Sequence, residues 1–310
     1  MKLEQLRAFE AVSRLGTFTA AADALFVTQP SLSRQIAALE QDLATDLFER
    51  GASGARLTVA GETLLPVARR MLADAELARQ EIDELAGLRR GRLRIGAPPT
   101  LCVSILADAL ARFSPAHPGV ELHVTEAGNE DLVIALNEGQ LDLALVVTRE
   151  SMAPLPGTEL VELLTEELVV VSASAQPDGV AELPDELTLA ELAELPQVMF
   201  NRSYDLRVAT DASFAAAGLR PRVAVEGGEM DAVLRFVELG IGVAVVPAMT
   251  VPDRAGLRVT RLVRPGMSRT VNLARRSNVR PAAAVAAMQA VLFELLAELD
   301  GAGVRLAGWD

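Results

Sequence analysis

Residues 28–35 read TQPSLSRQ. They separate two apolar, alanine-rich runs, LRAFEAVSRLGTFTAAADALFV before and IAALEQDL after, and crowd two serines, two glutamines and an arginine at the start of the second run. A helix start needs one side-chain oxygen as its cap, so Thr28 or Ser31 meets the structural requirement, and Pro30 fits the first turn, where a missing N–H costs nothing. The cap leaves Ser33, Arg34 and Gln35 unexplained, because Leu32, Ile36, Leu39 and Leu43 already fill the buried face of this helix. Hydroxyl, guanidinium and amide groups at a helix N-terminus suit a DNA major groove. Arginine forks to guanine, glutamine pairs with adenine, and the helix dipole favours phosphate.

Working outward, Leu3, Leu6, Phe9, Ala11 and Val12 mark one face of an earlier helix that Gly16 ends. Thr17 or Thr19 caps a second short helix, Ala20 to Leu25, so the order is short helix, tight turn, helix. Downstream, LFERGASGARLTVAG places Gly51 and Gly54 between two short extended pieces, as in a β-hairpin wing. A long helix is expected from Thr58 to about Leu88. Its apolar positions Leu65, Ala68, Leu72, Ala75 and Ile82 form a stripe that calls for a partner helix, so the segment reads as a dimerisation linker ended by GLRRGR.

From Arg92 the texture changes to strands and helices in alternation, the pattern of a parallel sheet with crossover helices. RLRIGAP, VELHVTEAG and LDLALVV are the first strands. A second set begins at ELVVVSA and continues through PQVMF, a helix from Leu206 to Ala217, RVAVEG, a helix from Met230 to Leu239, and GVAVVP. TVNLARR and a helix from Pro281 to Leu299 would add back to the first set. Two α/β subdomains in tandem make a cleft between them, with crossovers near 162–166 and 262–265.

At 310 residues the chain is long enough for more than one core; half of it is hydrophobic and 23% charged, as in soluble globular proteins. No run approaches eighteen apolar residues, and MKLEQLRAFE carries acids where an export signal has a basic start and an apolar core, so a cytoplasmic location is expected. A single cysteine, Cys102, excludes an intramolecular disulfide, and with only His117 and His123 no metal site is expected. The net charge of −13 opposes indiscriminate nucleic-acid binding, but its distribution is uneven. Residues 1–92 hold 12 basic and 13 acidic side chains; the remainder holds 17 and 29.

The chain resembles the LysR-type transcriptional regulators along nearly its whole length. The motifs that carry the resemblance are LRAFEAVSRLGTFTAAADALFVTQPSLSRQIAALEQDLATDLFER with RLTVAGE, then FSPAHPGVELHVTE, LNEGQLDLALV and GIGVAVVP. It implies a winged helix-turn-helix DNA-binding domain at 1–58, a dimerisation helix at 59–91, and an effector-binding domain at 92–310. The last resembles type 2 periplasmic binding proteins, with subdomain I at 92–163 and 266–300 and subdomain II at 164–265. It further implies a homodimer, commonly a homotetramer, that binds double-stranded promoter DNA and answers to a small-molecule effector, with no cofactor and no membrane.

Mapped on this sequence, the DNA-contacting set is Thr17 on phosphate, Thr28, Gln29, Pro30, Ser31, Ser33, Arg34 and Gln35 at the groove, and Arg50 and Arg56 on the wing. The effector set is Thr100 at a strand-to-helix junction, Asn129, Val147 and Thr148, the loop Ser203, Tyr204, Asp205 and Leu206, and Val246 and Pro247 at the cleft wall. Arg149, Arg202 and Arg207 lie near these loops and could neutralise an anion, whereas Asp205 disfavours one unless an arginine pairs with it. Gly240 and Gly242 precede a strand, the reverse of the nucleotide-binding order. An α/β enzyme and an exported solute-binding protein are the rival readings. No GxSxG, HExxH or phosphate loop supports the first, and the N-terminal helix-turn-helix opposes the second.

Overall fold

The computed structural model describes the chain apart from residues 52–53, 86–90, 150–154, 176–181, 203, 252–253, 278, 299–303 and 307–310. Helix α1 (Leu3–Leu15) buries Leu6, Ala8, Phe9, Ala11 and Val12, and ends on Gly16 at φ 72°, a left-handed cap that glycine adopts without strain. Thr17, not Thr19, caps α2 (Phe18–Ala24), accepting from the Ala20 amide, so this helix begins two residues earlier than expected. Thr28 caps α3 (Gln29–Leu43) by accepting from the Ser31 amide. Leu32, Ile36 and Leu39 enter the core, and the buried Glu40 accepts from the Leu47 amide at 2.9 Å, fixing the exit toward the wing. The wing is the antiparallel pair β1 (Phe48–Gly51) and β2 (Gly54–Leu57), anchored by Phe48, whose ring lies 5.4 Å from Phe9 and 5.7 Å from Phe18.

Helix α4 (Val59–Leu85) is 27 residues long. Its apolar stripe behaves differently from expectation. Ala68 is fully buried in the winged-helix core, with Leu65 and Leu72 packed around it, because α4 lies against α1 of the same chain. Leu77 packs on the next domain, where Arg69 Nη1 meets Glu138 Oε2 at 2.6 Å and Arg276 Nη1 meets Asp74 Oδ1 at 2.8 Å. The positions left open are Val67, Ala78 and Ile82, with Met71 and Ala75 partly covered between them. They recur every three or four residues along a neighbouring face.

Among the described residues the effector domain has a large sheet, ordered β4-β3-β5-β12-β6-β11-β7 with β10 and β13 also paired to β6, and a separate parallel pair, β8-β9, in subdomain II. Subdomain I contains β3 (Gly91–Ala97), a helix built of α5 (Pro99–Leu101), a π turn (Cys102–Leu106) and α6 (Ala107–Ala116), then β4 (Val120–Glu126), α7 (Asn129–Asn137) and β5 (Leu143–Thr148). β3 pairs in parallel with β4 and β5, as the alternation predicts. The expected strand at 167–173 is the end of a longer one, β6 (Thr158–Ala173). Its first part pairs with β12 and its last residues with β10 and β11, so one strand crosses between subdomains and changes partners near Leu168.

Subdomain II follows with β7 (Glu186–Thr188), α8 (Leu189–Glu194), β8 (Pro196–Phe200), α9 (Asp205–Ala216), β9 (Arg222–Gly227), α10 (Met230–Glu238), β10 (Ala244–Pro247) and β11 (Leu257–Val263). β12 (Met267–Arg276) returns antiparallel to β5 and β6, and α11 (Ala283–Ala297) packs on α6. β13 (Val304–Leu306) closes on β6. Each subdomain has its own core, around Phe113, Leu145 and Leu292 in the first and around Leu192, Phe214 and Leu234 in the second.

Candidate functional site

Two surfaces collect the residues singled out by the sequence. At the N-terminal end of α3, Thr28, Gln29, Pro30 and Arg34 are exposed and Ser31, Ser33 and Gln35 are half-exposed, while the opposite face is fully buried. Arg34 Nε donates to the Pro30 carbonyl at 3.3 Å, which leaves both terminal guanidinium nitrogens outward. Thr17 is exposed at the start of α2, and Arg56 is exposed on β2. Arg50 stands on β1, its side chain outside the described residues.

The second surface is a cavity of about 180 Å³ between the subdomains. Thr100, Asn129, Val147, Tyr204, Asp205 and Leu206 line it, as does Arg149. Ser203 lies outside the described residues. Thr148 is spent on Asn272, whose Nδ2 donates to its hydroxyl at 2.8 Å, and does not line the cavity. Val246 and Pro247 are buried strand residues, Val246 in the core of subdomain II, and stand off the wall. Arg202 is exposed elsewhere. Arg207 is buried and held by Asp211, Glu226 and the Phe200 carbonyl, a structural role on α9.

Asn129 lines the cavity, yet its amide group is committed: Nδ2 donates to the Val147 carbonyl at 2.7 Å and Oδ1 accepts from the Val147 amide at 2.9 Å. Its own backbone amide donates to Asp205 Oδ2 at 3.1 Å, a tie across the cleft. Tyr204 stacks on Phe200 with centroids 4.6 Å apart, and its hydroxyl is buried without a partner. Burial, with the Glu229 charge second, pushes that phenol up to about 12, so it stays a donor at neutral pH.

Sequence reasoning missed Glu126, Ser268 and above all Arg269. Arg269 is 7% exposed; its Nε donates to Glu166 Oε2 at 2.8 Å and its Nη1 to Thr100 Oγ1 at 3.1 Å. Glu166 has no exposure, and its other oxygen accepts from the Met249 amide at 2.7 Å. The two residues are cross-strand partners on β6 and β12. A signal was present: Arg269 shares strand parity with Met267, Val271 and Leu273, all core-facing, and Glu166 shares it with Leu164 and Leu168.

Among the described residues, nothing assembles an active site. His117 packs on Phe113 at the end of α6, and His123 is exposed beside Glu121. Cys102 Sγ donates to the Ala97 carbonyl, and burial raises its thiol to about 11, the opposite of a reactive thiolate. No group of His, Cys, Asp and Glu among the described residues could hold a metal ion, and no helix there is long and apolar enough to cross a membrane.

A family model for the bacterial regulatory helix-turn-helix protein of the lysR family matches residues 3–62, and one for the LysR substrate binding domain matches residues 86–297. The chain belongs to the LysR family. This LysR-family protein is 32% identical over 247 residues to a probable nitrogen assimilation transcriptional activator of Synechocystis, covering 80% of this chain and 79% of that one. Its fold matches a full-length OxyR variant from Pseudomonas aeruginosa, with a TM-score of 0.73 at 22% identity, covering 97% of this chain and 99% of that one. It also matches CbnR solved with its target DNA, with a TM-score of 0.65 at 25% identity, covering 96% and 99%. Family membership decides between the readings: the chain is a DNA-binding transcriptional regulator with an effector-binding domain, not an enzyme.

Proposed function

We propose that this LysR-family regulator acts in the cytoplasm, reading promoter DNA with the N-terminal end of α3 and answering to a small metabolite in the cleft between its subdomains. In the groove stand Gln29, Pro30, Ser31, Ser33, Arg34 and Gln35, with Thr28 at the cap, Thr17 on the adjoining phosphate, and Arg50 and Arg56 on the flanking backbone. The effector is held by Thr100, Tyr204, Asp205 and the walls at Val147 and Leu206. Two copies joined along α4, and pairs of such dimers, would present several readers to an operator, which offsets a wing with few charges.

The observation that carries the reading is the division of labour on α3. Its core face is satisfied by Leu32, Ile36 and Leu39, while Arg34 points a free guanidinium fork outward. CbnR, solved on its target DNA, matches this chain over 96% of its length. Footprinting on the DNA upstream of its own gene tests the reading. Arg34→Ala should fold as the parent does, by circular dichroism, and lose about 1–3 kcal/mol of specific affinity at equal salt. Unchanged operator affinity in that variant would remove α3 from the groove.

A further inference from the structure

The cavity carries an asymmetry that identifies a ligand class. On its buried side three donors converge. Arg269 Nη2 is ion-paired with Glu166 Oε2 at 2.8 Å, which leaves its second N–H for a ligand, and the Tyr204 hydroxyl is buried without a partner. Thr100 Oγ1 accepts from Arg269 Nη1, so its hydrogen is available to donate. Two acid side chains also line the cavity: Glu126 is exposed, and Asp205 is half-buried with one oxygen engaged by the Asn129 amide. Val147, Leu168, Leu206 and Ala209 supply apolar wall between them.

Three convergent donors fit the two oxygens of a carboxylate, which accepts and never donates. The carboxylates of Glu126 and Asp205 call for a cation within the same ligand. Arg149 and Arg269 are outnumbered by Glu126, Asp205 and Glu166, so a dianion such as sulfate enters a site that already carries a negative balance. A cavity of about 180 Å³ is close in size to one of about 150 Å³ that takes benzene, which limits the ligand to about ten heavy atoms. We propose that the cleft takes a small α-amino acid as its zwitterion, its carboxylate on Arg269, Thr100 and Tyr204, its ammonium toward Asp205 and Glu126, and a short aliphatic side chain on the apolar wall. The assignment rests on the cleft being the sensing site.

Calorimetry on the full-length protein tests it, first with the proteinogenic amino acids and then with three probes built on the best binder: the same skeleton without its amine, the same skeleton without its carboxylate, and inorganic sulfate. The expected result is binding of an amino acid of about ten heavy atoms or fewer, at least about tenfold weaker binding of both truncated probes, and none of sulfate. Tyr204→Phe keeps the ring on Phe200 and should weaken the amino acid about tenfold. It keeps the proposal testable if Arg269→Gln, which strands Glu166, fails to fold. Failure of every amino acid to bind, equal binding of the deaminated acid or of sulfate, or an unchanged Tyr204→Phe would each overturn the proposal.

Ala209→Trp, which fills the cavity, separates the two levels. Suppose its operator footprint still responds to a protein-free metabolite extract as the parent's does: the cleft is then not the sensing site. Suppose instead that the response is lost in Ala209→Trp and no amino acid binds the parent: only the ligand class is wrong.

Discussion

Tyr204 is the only tyrosine in the chain, so its ionisation can be read directly from tyrosinate absorbance. Burial raises its phenol from 10.0 to about 12. The folded state therefore holds this proton over an interval in which the unfolded chain has lost it. Stability should fall as pH rises from about 10 toward 12, and the native titration should run about two units above that of the urea-unfolded chain. Coincident titrations would place the ring in solvent. Phe26 offers a second residue-scale test: it sits at φ 55° in the turn before α3 and is 96% exposed, so it carries left-handed strain with no burial in return. Phe26→Asn should stabilise the winged-helix domain by about 0.5–1 kcal/mol, read from thermal melting. Composition flagged Tyr204 because it is unique. Strand parity puts Arg269 and Glu166 each on a core-facing position, but no linear reading could pair them without knowing that two strands a hundred residues apart lie side by side.

At the scale of elements, most of the winged helix was legible because its signals are local. A cap at Thr28, a proline in the first turn, a 3.6-residue apolar period and two glycines in the wing each act within a few residues. Helix α4 shows where that legibility stops. Periodicity marks an apolar stripe but not which neighbour covers it, and Leu65, Ala68 and Leu72 are covered by the chain's own first domain. The open seam runs through Val67, Ala78 and Ile82, one face further round. Ile82→Glu should therefore dissociate the dimer in sedimentation while leaving each winged-helix domain folded. Leu72→Glu should instead lower the melting temperature of that domain, because it forces a charge against the Ala68 cluster. A dimer that survives Ile82→Glu would mean that copies meet elsewhere. Gly139 explains how the middle of α4 comes close to the effector domain: at φ 71° it leaves room for Ala73, whose Cβ would lie 2.3 Å from any Cβ added there.

On the scale of the whole molecule, the alternating strands and helices foretold two subdomains, but not that the crossover would be a single 16-residue strand, because β6 reads as continuous apolar and acidic residues with no break to mark a change of partner. That strand and β12 carry the chain between the subdomains, and Glu166 and Arg269 face each other where they pair. Glu166 is tied to subdomain II through the Met249 amide, and Arg269 to subdomain I through Thr100. Any ligand that draws on Arg269 therefore competes at the hinge itself, and it can shift the open–closed balance only by binding one form better. The pair is buried on both sides, so removing one member leaves an uncompensated charge: Arg269→Met should cost about 3–5 kcal/mol of effector-domain stability. Adding Glu166→Gln to it should recover a large part of that loss, because the stranded carboxylate is gone, and the thermodynamic cycle should show coupling well above the roughly 0.5 kcal/mol expected of independent sites. Urea unfolding of the four proteins supplies the cycle. Additive losses would mean that Arg269 and Glu166 stabilise the hinge separately, and that a ligand on one does not reach the other.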